Sequence, residues 1–592
     1  MVEQTYTADV LVVGGGTGGT AAAIQAARRG AKTILVSEFT WLGGMLTSAG
    51  VPAPDGNELE AFQTGLWGAF IKELQHRQPG GLNNSWVSCF SFDPRIGAHI
   101  FADWVQELPN LHWIAGYVPL EVLKQGSCVT GVRFADFTVN AKITLDGTEL
   151  GDLLALGDIP HRWGWELQSE WGEPSAPIAF NSLTKKYPVQ SPTWVVIIQD
   201  FGMDIAPEIP PAPNYNESLF TGAWDNYGAD QFLNYGRLPG GLFMINWPIC
   251  GNDYGEEIGR IIESREKKRV FLQECYWHSQ NFAHFIQKQL GRRYGLANHI
   301  FPQIQNSQTA FALHPYYRES RRLIGLTIIR EQDILPIPEG KVAALHPDAI
   351  AIGNYPNDHH YPGIQFQLQP KSIRWGGRWT GTPFTIPYRS LIPVTNNGLL
   401  VCEKNISVSH IANGATRLQP VVMGTGQAAG MAAAMCTQMN LQPRDLPPRE
   451  LQMALIQDTE ASPMAIVPLF NLSPAHPQWL YWQQYYLEHL DTYPSSGDCD
   501  NLFYLQYYYG NENTVLPHKL DCFTGLFMYL DEQNYRFQII TPREHEGKIY
   551  QLINLIAHIE LKLQSLTDKQ QITIYGRLNS AGGWLQVEYI DK

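Results

Sequence analysis

The segment from Gly14 to Gly19 constrains this chain more than any other. Gly14-Gly15-Gly16-Thr17-Gly18-Gly19 sets glycines in the spacing G-x-G-x-x-G at Gly14, Gly16 and Gly19. The apolar run Ala8-Asp9-Val10-Leu11-Val12-Val13 precedes it. An alanine-rich segment, Thr20 to Arg29, follows and stops at Gly30. A second apolar run, Thr33–Val36, ends at Ser37-Glu38. Strand, tight turn, helix and parallel strand in this order predict a βαβ unit. Gly14 allows the turn off the strand, Gly16 admits backbone to a pyrophosphate, and Gly19 lets helix pack on sheet. A diphosphate would rest on the first helical turn, at Thr17 and Gly18, where unpaired N–H groups and the helix dipole favour negative charge. Glu38, at the end of the second strand, can accept both ribose hydroxyls of an adenosine and would repel a 2′-phosphate. These features together predict a bound dinucleotide.

Two further glycine-rich segments point to FAD rather than NAD. Gly43-Gly44-Met45 follows the second strand and would bring backbone beside the ribityl and ring end of a long cofactor. Far along the chain, Gly424-Thr425-Gly426-Gln427-Ala428-Ala429-Gly430 is expected to begin a small-residue helix. Gly426, Gln427 and Ala428 would then approach a flavin ring and stabilise negative charge in its reduced form.

Composition excludes several other classes. The 592 residues exceed what one core organises, so two or three domains are expected. The formal charge of −14, with no basic run, argues against nucleic acid as a partner. No stretch approaches the roughly 20 apolar residues of a membrane helix, and no signal peptide is evident, so a cytoplasmic setting is expected. The eight cysteines are scattered without a C-x-x-C pair, so neither a zinc nor an iron–sulfur site is expected, and no metal. Aromatic residues make up 12% of the chain, which fits broad apolar surfaces around a ligand, large cores, or a homodimer.

Helical spacing is read over 58–77 and 95–107, and strands near 112–115, 129–134 and 141–145. Residues 160–320 change character, with prolines at 207–213 and an amphipathic stretch from Glu256 to about Lys288 that should form two helices. Leu399–Val401 reads as a strand and Leu441–Glu450, rich in proline and arginine, as a linker. A tyrosine-rich region follows (Tyr481, Tyr485, Tyr486, Tyr504, Tyr507, Tyr508, Tyr509). An amphipathic helix over His545–Leu563 and a hairpin of Ile572–Tyr575 with Trp584–Tyr589 complete the reading.

At these residues the chain resembles the FAD-dependent oxidoreductases of the glutathione-reductase-like superfamily, and more narrowly a bacterial family sometimes labelled xanthan-lyase-like. The resemblance covers about residues 8–440. It is carried also by Asp146-Gly147-Thr148 with Gly151-Asp152, Asn246-Trp247-Pro248 with Gly251-Asn252-Asp253, Arg318-Glu319-Ser320-Arg321-Arg322, Ile386–Pro393, Ser409-His410-Ile411-Ala412 and Arg417-Leu418-Gln419-Pro420. It implies an α/β protein with a Rossmann-like FAD-binding domain of three-layer ββα/α type over 1–158. An α+β cap or substrate domain over 159–385, with return segments, interrupts that domain. The FAD-binding domain resumes over 386–442, and a C-terminal α+β extension covers 443–592. Asp146 is implied at the cofactor. One departure is that the strand Leu399–Val401 runs into Cys402-Glu403-Lys404 where a small residue and glycine are usual; Glu403 is then expected to reach the ribityl hydroxyls. Relatives with covalent flavin use a histidine near the second glycine pair, and residues 39–50 contain none, so FAD should be held non-covalently.

Flavin chemistry asks the protein for a cavity, one acid or base, and charge to orient the substrate. His410 and Arg417 resemble the pair that holds a substrate carboxylate in fumarate reductases; a bracing histidine is the bland alternative. Tyr388 and Arg389 are expected to line the cavity. Arg318, Arg321 and Arg322 with Glu319 form a cationic knot, suited either to an anion or to salt bridges between cap and FAD domain. Asp358-His359-His360 could relay protons or form half of a metal site, with His359 a substrate contact. The expected activity is hydride transfer from a small polar substrate (a hydroxy acid, amine or sugar alcohol) to FAD, with an electron acceptor left open. The alternatives are a structural FAD in an interaction module, or a flavin-assisted carbohydrate lyase.

Overall fold

A computed structural model describes residues 4–303, 308–370, 372–459, 463–499, 502 and 520–591. Tyr504, Tyr507, Tyr508 and Tyr509 lie outside them.

The predicted βαβ unit is β1 (Gln4–Val13), α1 (Thr17–Arg28) and β2 (Thr33–Ser37). β1 lies parallel to β2 on one side and to β6 (Phe137–Asp146) on the other. With β3 (Leu111–Ala115), β4 (Glu121–Gln125) and β5 (Cys128–Arg133), the sheet order is β3-β2-β1-β6-β5-β4. The strand Leu399–Val401 adds alongside β6, also parallel. Val10 to Val13 are buried on both faces, as the centre of a parallel sheet requires. β4 escaped the sequence reading because Val122 is its one buried residue; Glu121, Lys124 and Gln125 face solvent along an edge.

The small-residue segment at 424–430 lies inside the helix Gln419–Met439 rather than at its start. Helix and α1 cross closely. A Cβ on Gly426 would come within 2.1 Å of the Gly18 carbonyl oxygen, and one on Gly430 within 2.2 Å of that of Ala22. The glycines and alanines there serve helix–helix packing.

The cap carries an antiparallel sheet in the order Tyr294–Leu296, Val196–Asp200, Leu242–Ile245, Arg237–Leu238. The expected helix pair is a short turn, Arg260–Glu263, and a long helix, Arg265–Leu290. Ser264 separates them in extended conformation, and its hydroxyl accepts the Lys267 N–H at 3.2 Å. The strand Ala349–Asn354 pairs with Pro383–Pro387, and both lie in the main core, so the return from the cap begins well before residue 386.

The expected linker at 441–450 is ordered core. A turn over Pro443–Asp445 leads into the helix Pro448–Ile456, with Leu451 and Leu455 fully buried. Ile466, Phe470, Trp479 and Tyr486 continue the same cluster, so residue 443 marks no break in packing. The C-terminal part is a closed barrel of Asp521–Asp531, Asn534–Thr541, Ile549–Asn554, Trp584–Asp591 and Gln571–Asn579, in that spatial order. Ile549–Asn554 and Trp584–Asp591 pair in parallel and the other neighbours antiparallel, a five-stranded Greek-key arrangement. The helix expected over 545–563 is only Ala557–Gln564; β-branched and aromatic residues make Ile549–Asn554 a strand. The hairpin is present as Gln571–Asn579 with Trp584–Asp591. Among the described residues no helix is long and apolar enough to cross a membrane.

Candidate functional site

A cleft with about 970 Å³ of empty space opens where β1, β2 and β6 end. Val13 to Gly16 line it after β1, Ser37 and Glu38 after β2, and Gly147 to Leu150 after β6. Ligands of open α/β sheets lie at such carboxyl ends, beside the strand where connections change direction. Here that is the β1–β6 seam.

The glycines build it. Gly14 has φ +105°, and a Cβ there would sit 2.2 Å from the Gly147 carbonyl oxygen. Gly16 faces the cleft, with carboxylates of Glu403 and Glu149 close to where a Cβ would stand. One of those oxygens, Glu149 Oε1, is buried without a hydrogen-bond partner. An orphaned acceptor beside the first helical turn is what the hydroxyls of a ribose or ribityl chain would satisfy. Glu38 keeps accessible surface through the cleft and makes no hydrogen bond or ion pair with any described residue. Burial among the surrounding atoms raises its pKa. The residues therefore fit a dinucleotide such as FAD.

The other expected cofactor residues are arranged differently. Glu403 Oε2 accepts the Gly18 N–H at 2.7 Å, and Lys404 Nζ binds Glu403 at 3.0 Å and Glu149 at 2.5 Å. Burial pushes Glu403 up; the same burial would raise Glu149, but Lys404 outweighs it and holds that carboxyl down. Thr17 gives its hydroxyl to the Gly43 carbonyl, and a Cβ on Gly44 would meet Gly16 Cα at 2.7 Å. The glycine pair thus lets two backbone segments touch. Gly19 packs on Gly14, and Met45 is buried in a core cluster. Asp146 accepts the N–H and hydroxyl of Thr148 and the N–H of Leu153, shaping the loop after β6 from outside the cleft. Gly426 packs on Gly18, Gln427 accepts the Leu66 N–H, and Ala428 is buried; none of the three lines the cleft.

A second, smaller cavity lies behind the first. Ser48 and Leu313 to Pro315 border the cleft, whereas Val51, Ala53, Tyr316 and Arg318 border this cavity, so two short segments form the wall between them. Arg318 and Arg417, 1% and 2% exposed, both line it. Arg318 binds the Ser191 carbonyl, Thr193, Asn246 and, at 3.1 Å, Asp253. Arg417 donates to Tyr316 Oη at 2.6 Å and to Asp358 at 3.2 Å, from the junction between the helices His410–Thr416 and Gln419–Met439. The Nε of each arginine has no partner.

Of the acids and histidines that line it, Asp55 was not singled out from sequence, whereas Asp358 and His360 belong to the run expected to relay protons. Asp55, in the turn Pro54-Asp55-Gly56, is pushed up to about 8 by burial, with Glu58 adding and Arg378 opposing. His360 bridges two carboxylates, Nδ1 to Asp253 at 2.9 Å and Nε2 to Asp358 at 2.7 Å. Burial and Arg318 act to lower its pKa, but those carboxylates prevail and keep it raised. Asp358 is held well below the usual carboxylate range, against its burial, by His360 and Arg417. The Asp-His-His run flagged this place, but a local pattern could not choose between adjacent histidines.

The remaining candidates lie elsewhere. His359 turns away from the cavity, to the Ile411 carbonyl and Tyr361. His410 is fully buried, with Nδ1 2.9 Å from Glu319, Nε2 2.6 Å from Tyr361 Oη and Trp165 tilted against its ring. Tyr388 donates to the Pro443 carbonyl, and Arg389 faces Asp348 at 3.5 Å, half exposed. Arg321 holds the Leu150 carbonyl and Asp152, while Arg322 pairs with Glu166 and Glu319 between cap and sheet. The cationic knot thus separates into one cavity arginine and two structural ones. Among the described residues no cluster of His, Cys, Asp or Glu could hold a metal ion.

The model of a protein family described as FAD dependent oxidoreductase matches residues 9–455. No curated protein matches the chain. Several solved structures are similar at low identity. A geranylgeranyl bacteriochlorophyll reductase-like protein of Thermoplasma acidophilum is 13% identical over 76% of this chain and 82% of its own, with a TM-score of 0.30. GidA of Aquifex aeolicus is 16% identical over 36% of this chain and 37% of its own, with a TM-score of 0.22. The p-nitrophenol 4-monooxygenase PnpA of Pseudomonas putida DLL-E4 is 11% identical over 33% and 48%, with a TM-score of 0.21. The match with GidA spans little more than a third of that protein's length.

Proposed function

The chain belongs to the FAD dependent oxidoreductase family, so it is a redox enzyme with FAD as cofactor, and on that premise we propose that it oxidises a small polar substrate at the second cavity, beside Arg318 and Arg417. The same proposal assigns it to the glutathione-reductase-like superfamily, with FAD held non-covalently in the cleft. Gly14, Gly16 and Glu38 would hold the adenosine and diphosphate end, and Glu149 the hydroxylated middle. When bound, FAD supplies a two-electron acceptor for hydride.

The protein's own groups divide the remaining work. Arg318 and Arg417 present planar, permanently charged donors that suit an anionic or strongly polar substrate group. Asp358 and Tyr316 fix the Arg417 fork from behind, so little reorganisation is needed when substrate arrives. Asp55 handles the proton that leaves the substrate's O–H or N–H as the neighbouring C–H gives up hydride. A carboxyl poised near pH 8 is suited to that exchange. Hydride transfer requires the substrate's C–H to meet the flavin ring directly, so the ring would have to lie at the boundary of the two cavities, beside residues 48–51 and 313–316.

One observation carries the reading: two buried guanidiniums and a carboxyl of raised pKa share one cavity against the cofactor cleft. Anaerobic addition of hydroxy acids, amines and sugar alcohols to the FAD-loaded protein tests it. Bleaching of the long-wavelength flavin band by one class, with KM raised in Arg417→Gln, is the expected result. A protein that cannot be loaded with FAD, or that none of these classes reduces, would overturn it.

A further inference from the structure

The cofactor cleft is not built from the sheet alone. Lys268 and Leu272 of the long cap helix Arg265–Leu290 line it opposite Glu38. They are one helical turn apart and therefore share a face. The side chains around them on that turn are occupied otherwise, since Glu266 and Arg269 pair with each other at 2.8 Å.

The charge in the cleft is uneven. Glu38, Glu149 and Asp152 line it, and among the described residues Lys268 is the one lining cation; burial pushes His314 down, so its ring is neutral. Glu149 is matched from behind by Lys404 at 2.5 Å, and Asp152 by Arg321 at 3.3 Å. Glu38 and Lys268 are left over. Neither has a hydrogen-bond or ion-pair partner among the described residues, although Lys268 is near enough to act electrostatically on Glu38. The two stand on opposite walls, one on the FAD domain and one on the cap. A dinucleotide entering between them brings a negatively charged diphosphate into a cleft already rich in carboxylates. The positive end of α1 supplies only about half an elementary charge against it.

We propose that Lys268 is a cofactor-binding residue contributed by the cap, its ammonium balancing the phosphate charge of the ADP half of FAD across the cleft from Glu38. Cofactor binding would then tie cap and FAD domain together, one acid and one base gripping the same half of the ligand. This rests on the cofactor lying in this cleft.

Binding to the full-length apoprotein tests it, with FAD, ADP and riboflavin as separate probes and no turnover involved. Lys268→Gln should weaken FAD and ADP by a similar factor, about tenfold for one charge-assisted contact. Riboflavin, which lacks the ADP half, should bind as before. The loss should shrink at high salt, Lys268→Arg should recover most of it, and Lys267→Gln should have no effect. A purely structural role would move riboflavin too and would lower the melting temperature without ligand. If Glu38→Gln weakens ADP while Lys268→Gln does not, the proposal for Lys268 falls and the cleft stands. If neither variant changes ADP binding, the cofactor does not lie there and both fall.

Discussion

The carboxylate of Glu403 accepts the backbone N–H of Gly18 at 2.7 Å, tying the end of the last sheet strand to the first turn of α1 across 385 residues. An acid thus takes one of the amides that a helix start offers to anions. It is tolerated there because Lys404, buried beside it, neutralises Glu403 and Glu149 together. The arrangement explains how Cys402-Glu403-Lys404 can stand where small residues are usual.

Lys404 is therefore expected to be a major stability determinant. Lys404→Met leaves two carboxylates without their cation in a buried site, and loss of one partner from a buried ion pair costs about 3–5 kcal/mol. Chemical denaturation of the full chain should show a loss of that order. A melting curve unchanged from wild type would contradict the account.

Asp55 sets the expected pH dependence of activity. Its carboxyl is pushed up to about 8, so at neutral pH it is mostly protonated and cannot accept the substrate proton. The kcat/KM for oxidation should rise with pH through about 8 and level off above it. Asp55→Asn should remove that limb and lower kcat by roughly a hundredfold or more. A wild-type profile flat from pH 6 to about 9 would count against Asp55 as the base.

Arg417 should separate binding from chemistry. Arg417→Lys keeps the charge but loses the fork that spans Tyr316 and Asp358. We expect KM for the substrate to rise by about tenfold to a hundredfold, with a smaller change in kcat. Steady-state kinetics and the flavin spectrum, which should stay intact, check this together.

His410 should matter for stability rather than turnover. Burial and Arg322 hold its pKa well below the ordinary 6.5, so the folded protein keeps it neutral while the unfolded chain protonates it as pH falls. Its contribution is present above about pH 6.5 and is lost below. His410→Gln should flatten that part of the stability–pH curve and cost about 1–3 kcal/mol at neutral pH, with KM largely unchanged. A large rise in KM with unchanged stability would return His410 to the substrate site.

What the sequence determined by itself was local. The apolar run of β1, the glycine spacing, the alanine-rich helix and Glu38 lie within one βαβ unit, where chain connectivity sets geometry and each residue type has few alternative uses. That was enough to predict a dinucleotide cleft with Glu38 as its acid, and to bring the cofactor family into view. The tertiary structure decided everything that depends on which surfaces meet. Small residues at 424–430 suit either a ligand or a neighbouring helix, and the close crossing with Gly18 and Ala22 selected the helix. His359 and His360 carry the same chemistry in sequence, yet the turn after Asp358 gives one to the core and the other to the cavity. Asp55, Arg318 and Arg417 come from distant parts of the chain, and only long-range packing, to which local periodicity is blind, converges them on one cavity.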